Sequence, residues 1–542
     1  MTTHNSPFAE AATSPFAAVK NCGQVAAQIL PSEFQTMFDL ETVRFQSEEN
    51  LLEQVCALVD PLQEAIKFAN SSELRSTAEQ ALRDLVSAVR PKLTAEPEAR
   101  IRTTDFIQTH CTQFPWALVQ SAPNALAFLY NFSPFQDTGA TVASKRIRNF
   151  AKTFDVVSCS FLHKKKMDAT VERIGDPYIH EKYFLPMNAS WASWEPFMAF
   201  AEKAAAFAEQ LVATGNQYEM CYSRAMWAPS IYAGMLFKEA HPEVEWVVEF
   251  SDPLSLDVEG LPRGGKVPED RFSAAWRSKI SLDFPDCEDV DFTVFSLAEY
   301  LAYSFADQII FTNSNQKITM LECIESPALR ERIEKISVVS NHPTLPRDFY
   351  LAEPSNYEVD DTKLNLGYFG EFYSSRSIHE VTSAMRSLPP HLRKRVNLHV
   401  FTNYIPASEG NQRPRNFSKA QFDALVKRAY EGVGAWGIED NVRFNASLPY
   451  LKFLGTTEKL DYLIVNDASS GEHHSVNPYL PSKWSDYAGS SASTWAFVEE
   501  GSILSSKPAT VHSPVGDAYA ARQTLWQLIE EKFPELCDSE ID

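Results

Sequence analysis

The chain has 542 residues, 44% of them hydrophobic and 22% charged, which excludes an intrinsically disordered protein and is too much for one ordinary core. Lys and Arg total 49 against 71 Asp and Glu, and a net charge of −22 argues against nucleic acid as the main partner, because an acidic surface repels phosphate backbones. The eight cysteines stand singly, without a Cys-x-x-Cys pair, so neither a disulfide framework nor a structural zinc site is expected.

The first forty or so residues are rich in Ala, Thr, Ser, Pro and Asn and predict a loosely ordered lead. Met1 to Asn5 shows no basic stretch followed by an apolar run, and no run of about 18 apolar residues occurs, so the expectation is a cytoplasmic protein without a membrane span. Leu51, Leu52, Val55, Leu58, Val59 and Leu62 recur at helical spacing, as do Leu74, Ala78, Leu82, Leu85 and Val89. Residues 1–120 therefore read as a helical N-terminal extension. From about residue 124 short apolar runs (125–130, 156–161, 246–250, 308–311 and 336–339) alternate with helical stretches such as 194–213 and 295–305. Unbroken short runs between helices mark a parallel sheet covered on both faces. Residues 353–361 are polar and aperiodic and read as a linker; the same pattern then restarts with runs at 364–369, 396–401, 442–444, 462–465 and 494–498, closed by a helix over 518–533. The predicted fold class is α/β: two Rossmann-like, doubly wound domains facing a cleft, over residues 121–355 and 356–542.

Ligands of such sheets sit outside the carboxyl ends of the strands, so the loops after the runs carry the candidate chemistry. After the first run, Thr138 and Gly139 open a helix whose small residues admit a ligand and whose N–H groups suit an anion; an ordinary strand–helix connection explains the small residues equally well. After the run at 364–369 come Gly370 and, just before the next helix near Ser377, Arg376, a cation suited to a diphosphate. After the run at 462–465, Ser482 and Lys483 begin a helix with Asp486 one turn on, an arrangement in which the amine meets phosphate and the carboxylate meets ribose hydroxyls; a plain surface Lys–Asp pair is the alternative. Asp252, between Ser251 and Pro253, is a candidate for acceptor positioning or proton transfer, with a turn-initiating Asp as its plainer reading. Asp289-Val290-Asp291 matches an Asp-x-Asp metal string but sits in an acidic run before a helix, and no metal is expected. Lys164, Lys165 and Lys166 suit either anionic headgroups or plain solvation.

With Gly370 and Arg376, and above all Pro481-Ser482-Lys483-Trp484-Ser485-Asp486-Tyr487, the chain resembles GT-B glycosyltransferases, and more narrowly those like glycosyltransferase family 4. The resemblance covers roughly residues 124–542. It implies a nucleotide-diphosphate sugar bound by Thr138, Gly139, Gly370, Arg376, Ser482, Lys483 and Asp486, transfer with retention to a glycan or lipid-linked acceptor in cell-envelope polysaccharide synthesis, peripheral contact with the inner face of the membrane, and no cofactor. Departures are visible: Glu371 replaces a basic residue, Asp486 stands where that family carries Glu, and Pro478 stands where it carries a second acid. Glu472 is the nearest substitute for that acid and the second catalytic candidate. Two alternatives share the fold: a nucleotide-sugar epimerase, and a non-catalytic scaffold or sugar-nucleotide-binding subunit.

Overall fold

The computed structural model describes residues 15–38, 40, 50–94, 96–111, 113–372, 376–405, 413, 417–471 and 473–536. Two parallel-stranded sheets flanked by helices account for most of them, as the alternating runs predict. The first is built from β1 (Ala125–Phe128), β2 (Phe154–Cys159), β3 (Ile179–Leu185), β4 (Met220–Ala225), β5 (Glu245–Phe250), β6 (Gln308–Phe311) and β7 (Ser337–Val339), in the order β3-β2-β1-β4-β5-β6-β7. The second is built from β8 (Leu364–Phe369), β9 (Val396–Thr402), β10 (Val442–Ala446), β11 (Tyr462–Asn466), β12 (Ser493–Val498) and β13 (Val511–Pro514), in the order β10-β9-β8-β11-β12-β13. β1 pairs in parallel with β2 and β4, and β8 with β9 and β11. This is the GT-B architecture of two doubly wound sheets.

The reason is burial. Every residue of β1, β2, β4, β8 and β9 is inaccessible to solvent, so each strand must be covered on both faces. Phe128, Tyr232, Trp246, Leu301 and Phe311 fill the core on the first sheet. Leu366, Val400, Trp495, Leu525 and Ile529 fill that on the second, where the helix Ala518–Lys532 packs. Residues 123–149, 154–175 and 181–542 form one compact unit that contains both sheets. Residues 354–360 join the sheets without regular structure, and this backbone runs so close to the helix Tyr450–Thr457 that the carbonyl oxygen of Glu353 occupies the place a Cβ on Gly455 would need.

The second unit comprises residues 1–122, 150–153 and 176–180. Its helices include Pro15–Ile29, Leu51–Phe68, Ser72–Ser87 and Pro97–His110, packed around Val59, Leu62, Leu82, Leu85 and Ile107. The predicted loosely ordered lead is corrected over its described part: residues 15–29 are helical, and Val19, Cys22 and Ala26 lie fully buried. An Ala-rich segment has weak periodicity of its own and becomes a helix by laying its few apolar side chains on neighbours.

Candidate functional site

In a doubly wound sheet the strand order reverses at one point, and the loops leaving the two strands there splay apart and leave a crevice. The reversals fall between β1 and β4 in the first sheet and between β8 and β11 in the second. Thr138 and Met226 after the first pair, and Gly370, Arg376 and Asn466 at the second, line one cleft of about 590 Å³ between the sheets. Ser482, Lys483 and Asp486 line it too, so the structure gathers all seven sugar-nucleotide candidates except Gly139 around this cleft; Gly139 lines a neighbouring cavity described below.

On the first-sheet side, Thr138 and Gly139 begin the helix Thr138–Phe150, but the Gly139 N–H already donates to Asp137 Oδ1 at 2.7 Å. The other oxygen of Asp137 pairs with Lys165. A carboxylate of the chain itself thus holds the place at the helix start that was expected for a ligand phosphate. A Cβ on Gly139 would lie 2.5 Å from Met226 Sδ and 2.9 Å from Asp137 Oδ1, so these side chains would have to shift to admit one. The same helix buries three cations, Lys145, Arg146 and Arg148. Arg146, 4% exposed, donates to both oxygens of Glu249 at 3.2 and 3.1 Å, and Tyr222 donates to the same carboxylate. Burial opposes ionisation of Glu249, yet Arg146 and Arg224 hold its carboxyl below the usual range.

Lys145, one residue earlier, reaches the other sheet. Its ammonium lies 2.6 Å from Asp486 Oδ1, with side-chain exposures of 1% and 6%. Tyr450 donates to the same oxygen at 2.7 Å, while Lys483 stands 3.4 Å from Oδ2. Burial works against the charge on Asp486, but the two ammonium groups and these hydrogen bonds hold its carboxyl below the usual range. The pair Lys483–Asp486 expected from spacing is therefore real but secondary: the main partner of Asp486 is 341 positions away. A second bond joins the halves, since Asp168 Oδ2 accepts from the Tyr450 N–H at 2.6 Å and so caps the helix Tyr450–Thr457 from across the cleft.

On the second-sheet side, Arg376 is partly buried and its Nε has no hydrogen-bond partner among the described residues. The helix after it starts at His379 instead of near Ser377. Gly370 ends β8 with its N–H on the carbonyl of Phe401, and Ser482 precedes the short helix Lys483–Tyr487. The Lys483 ammonium lies over the ring of Phe453, 4.3 Å from its centroid, and Lys483 lines the cleft. Glu472 lies outside the described residues. A carboxylate absent from the sequence expectation sits at the end of β11: burial pushes Asp467 up to about 6, against hydrogen bonds from Ser502 and the Glu499 N–H and the charge of Arg376, and its Oδ1 has no partner.

A second cavity, of about 520 Å³, opens beside the cleft and shares Thr138, Met226, Arg376 and Ser482 with it. Asp252 lines it together with Arg224 and Arg263, and burial raises its carboxyl against the opposing charges of Arg224, Arg263 and Arg376. His342 lines it too, its ring nitrogens unpartnered; burial first, and Arg224 next, drive its pKa down to about 3. Arg224 and His342 were not anticipated: Arg224 ends a strand whose polar residues break the apolar pattern, and His342 follows the edge strand β7.

Among the described residues no group of three or more His, Cys, Asp or Glu side chains could hold a metal ion, and Asp291 forms an exposed pair with Lys266 at 2.9 Å. Of the lysine triplet, Lys164 donates to the Ala189 carbonyl, Lys165 pairs with Asp137, and Lys166 lines the cleft. Among the described residues no helix is long and apolar enough to cross a membrane.

No family model and no curated protein matches the sequence. Solved structures do. One described as trehalose-6-phosphate from E. coli bound with UDP-2-fluoro glucose matches 76% of this chain and 94% of its own, at 10% identity and a TM-score of 0.46. Sucrose-phosphate synthase from Thermosynechococcus elongatus matches 76% of this chain and 98% of its own, at 10% identity and a TM-score of 0.42. The S. aureus MnaA–UDP co-structure matches 75% of this chain and 88% of its own, at 11% identity and a TM-score of 0.39. At these values the activity has to be argued from the residues of the cleft itself.

Proposed function

We propose that the protein is a glycosyltransferase that moves a sugar from a nucleoside-diphosphate sugar to a glycan or lipid-linked acceptor, in the synthesis of a cell-envelope polysaccharide. The observation that carries this reading is the set of cations left over in the cleft once internal pairs are set aside. Lys145 belongs to Asp486 and Lys165 to Asp137, whereas among the described residues Arg376 has no ion-pair partner, Lys483 has Asp486 only at 3.4 Å, and Lys166 also lines the cleft. Arg376 and Lys483 at one strand-end crevice suit a diphosphate, and the chain's net charge of −22 makes them stand out.

On this reading the chemistry is stabilisation of a departing nucleoside diphosphate. Arg376 and Lys483 take the charge that develops on the leaving oxygen, a task that fixed cations in a crevice perform without a metal. Asp486 Oδ2, which faces only Lys483, accepts from the ribose hydroxyls, and Asp252 holds the acceptor hydroxyl from the neighbouring cavity. The stereochemical outcome in line with the sequence resemblance is retention. Membrane contact would come from the acceptor and from Lys166, since the other two lysines of the triplet are engaged within the protein.

The test is release of nucleoside diphosphate from a panel of nucleotide sugars, with and without acceptor, by the wild type and by Arg376→Ala. Acceptor-dependent release that Arg376→Ala abolishes supports transfer. Release without any acceptor points to the epimerase reading. Binding without release points to a non-catalytic subunit, a reading favoured by the Asp137 cap on Gly139 and the saturated Oδ1 of Asp486. No binding of any nucleotide sugar refutes the proposal.

A further inference from the structure

The second cavity is lined by three guanidinium groups, those of Arg224, Arg263 and Arg376. Arg224 is 5% exposed; its nearest carboxylate, Glu249, lies 3.8 Å from its Nε and is already taken by two bonds from Arg146 and one from Tyr222. The Nε of Arg224 makes no hydrogen bond, and one Nη contacts the Gly139 carbonyl at 3.3 Å. Arg263 stacks on the Phe295 ring at 4.6 Å and reaches only the Pro253 carbonyl, at 3.4 Å. Arg376 closes the third side. Asp252 and Asp257 line the cavity with them, and the charges of Glu299 and Asp467 reach Arg263 and Arg376 from beside it.

Unmade hydrogen bonds of buried groups are unfavourable, and a ligand that completes them is held by them. Arg224 Nε, Arg376 Nε, Ser251 Oγ and both ring nitrogens of His342, all on residues that line the cavity, have no partner among the described residues. Guanidinium forks match a tetrahedral oxyanion, donating two parallel bonds each. Because Thr138, Met226, Arg376 and Ser482 belong to both cavities, whatever fills the second lies against whatever fills the first.

We propose that the second cavity is the acceptor subsite and that the acceptor carries a phosphate group, held by Arg224 and Arg263 beside Asp252. This rests on the glycosyltransferase reading above and narrows its acceptor to a phosphorylated one, whether a soluble sugar phosphate or a phosphate-headed lipid. In the transfer the bond between the anomeric carbon and the β-phosphate oxygen breaks, with its electron pair leaving on the nucleoside diphosphate. The acceptor hydroxyl oxygen bonds to that carbon, and its proton passes to the departing diphosphate. The acceptor's own phosphate takes no part in bond-making; it fixes the distance at which the hydroxyl meets the donor.

Calorimetric titration of the full chain tests this. Uridine diphosphate is added to saturation, followed by inorganic phosphate, glucose 6-phosphate, or neutral phospholipid vesicles carrying a polyprenyl phosphate. The expected result is that at least one phosphate probe binds the nucleotide-loaded protein. Arg263→Gln, a change at a half-buried side chain, should weaken that probe by roughly tenfold to a hundredfold while nucleotide affinity holds. Binding of the soluble probe or of the vesicle distinguishes the two sources. If no phosphate probe binds, or if Arg263→Gln binds it as the wild type does, the proposal falls. It falls also if nucleotide displaces the probe, since the phosphate was then in the donor subsite. If uridine diphosphate itself fails to bind, another nucleoside diphosphate replaces it; if none binds, the glycosyltransferase reading is what fails, and phosphate titration of the free chain with the same variant decides the cavity.

Discussion

The two sides of the cleft carry charge in different ways. On the first sheet the ionic groups are buried and spend themselves on one another: Arg146 on Glu249, Asp137 on Lys165, and Lys145 on a carboxylate from the opposite half. On the second sheet Arg376 and Lys483 are only half-buried: Arg376 Nε has no partner among the described residues, and Lys483 reaches Asp486 only at 3.4 Å. A buried, mutually satisfied network is a framework, since its geometry is set before any ligand arrives. An open cation on a loop or short helix is a hand. On the proposed reading the first side positions and the second side binds.

The contrast breaks most visibly at Glu249. Glu249→Gln strands two buried guanidinium groups and is expected to destabilise the fold by about 3–5 kcal/mol, seen as a lower denaturant midpoint. A loss below about 1 kcal/mol would make the network an ornament. Next in size is the bridge between halves. In a double-mutant cycle of Lys145→Met and Asp486→Asn, the coupling is expected to approach about 3 kcal/mol of stability. Coupling near zero, with nucleotide affinity lost in Asp486→Asn alone, would leave Asp486 its proposed ribose contact and remove its bridging role. Arg376→Ala should do the reverse of both: nucleotide binding weakens by about 1.5–3 kcal/mol while the unfolding midpoint stays in place.

Titration sharpens the same contrast. Burial drives His342 and His399 down to about 3 from 6.5, so both imidazoles are neutral in the fold. Their contribution to stability is complete above pH 6.5 and drains away as pH falls toward 3, because the unfolded chain gains protons that the folded one refuses. Asp467 has the opposite sign. Raised by burial from 3.8 to about 6, it favours the fold below 3.8 and loses that contribution as pH rises through 6. Stability measured against pH should therefore fall less steeply on the acid side in His342→Gln. It should fall less between pH 3.8 and 6 in Asp467→Asn. Slopes equal to those of the wild type would count against both environments. The smallest effect is expected at Lys266→Ala, whose pairing with Asp291 is largely exposed. It should shift stability by under about 1 kcal/mol, and manganese should produce no further change.

The sheets were legible from sequence where burial is achieved with apolar residues alone. The runs at 308–311 and 364–369 coincide with β6 and β8. β3, β4 and β13 were missed, and β4 is the instructive one. Its six residues are all buried, but Ser223 and Arg224 interrupt the apolar run, so a central strand leaves no hydrophobic signature. Arg224, one of the two residues that hide it, also lines the second cavity. In the same way Lys145 and Arg146 look like the solvated face of a helix, and only the fold shows them 1% and 4% exposed. Arg376, Lys483 and Asp252 were legible because their signal is local: a strand, a turn and a charged residue. Lys145 and Asp486 were not legible as a pair, because no spacing rule spans 341 residues.

The bond from Lys145 to Asp486 and the cap from Asp168 onto Tyr450 have a consequence for tempo. Both cross between the halves, and both are buried. On the proposed reading, a hinge motion wide enough to free a product has to part this ion pair, whose side chains are 1% and 6% exposed. The dwell time of a ligand in the cleft would then follow the rupture of this clasp instead of the ligand's own contacts. Turnover would be limited by letting go, with a fast first cycle and slower ones after it.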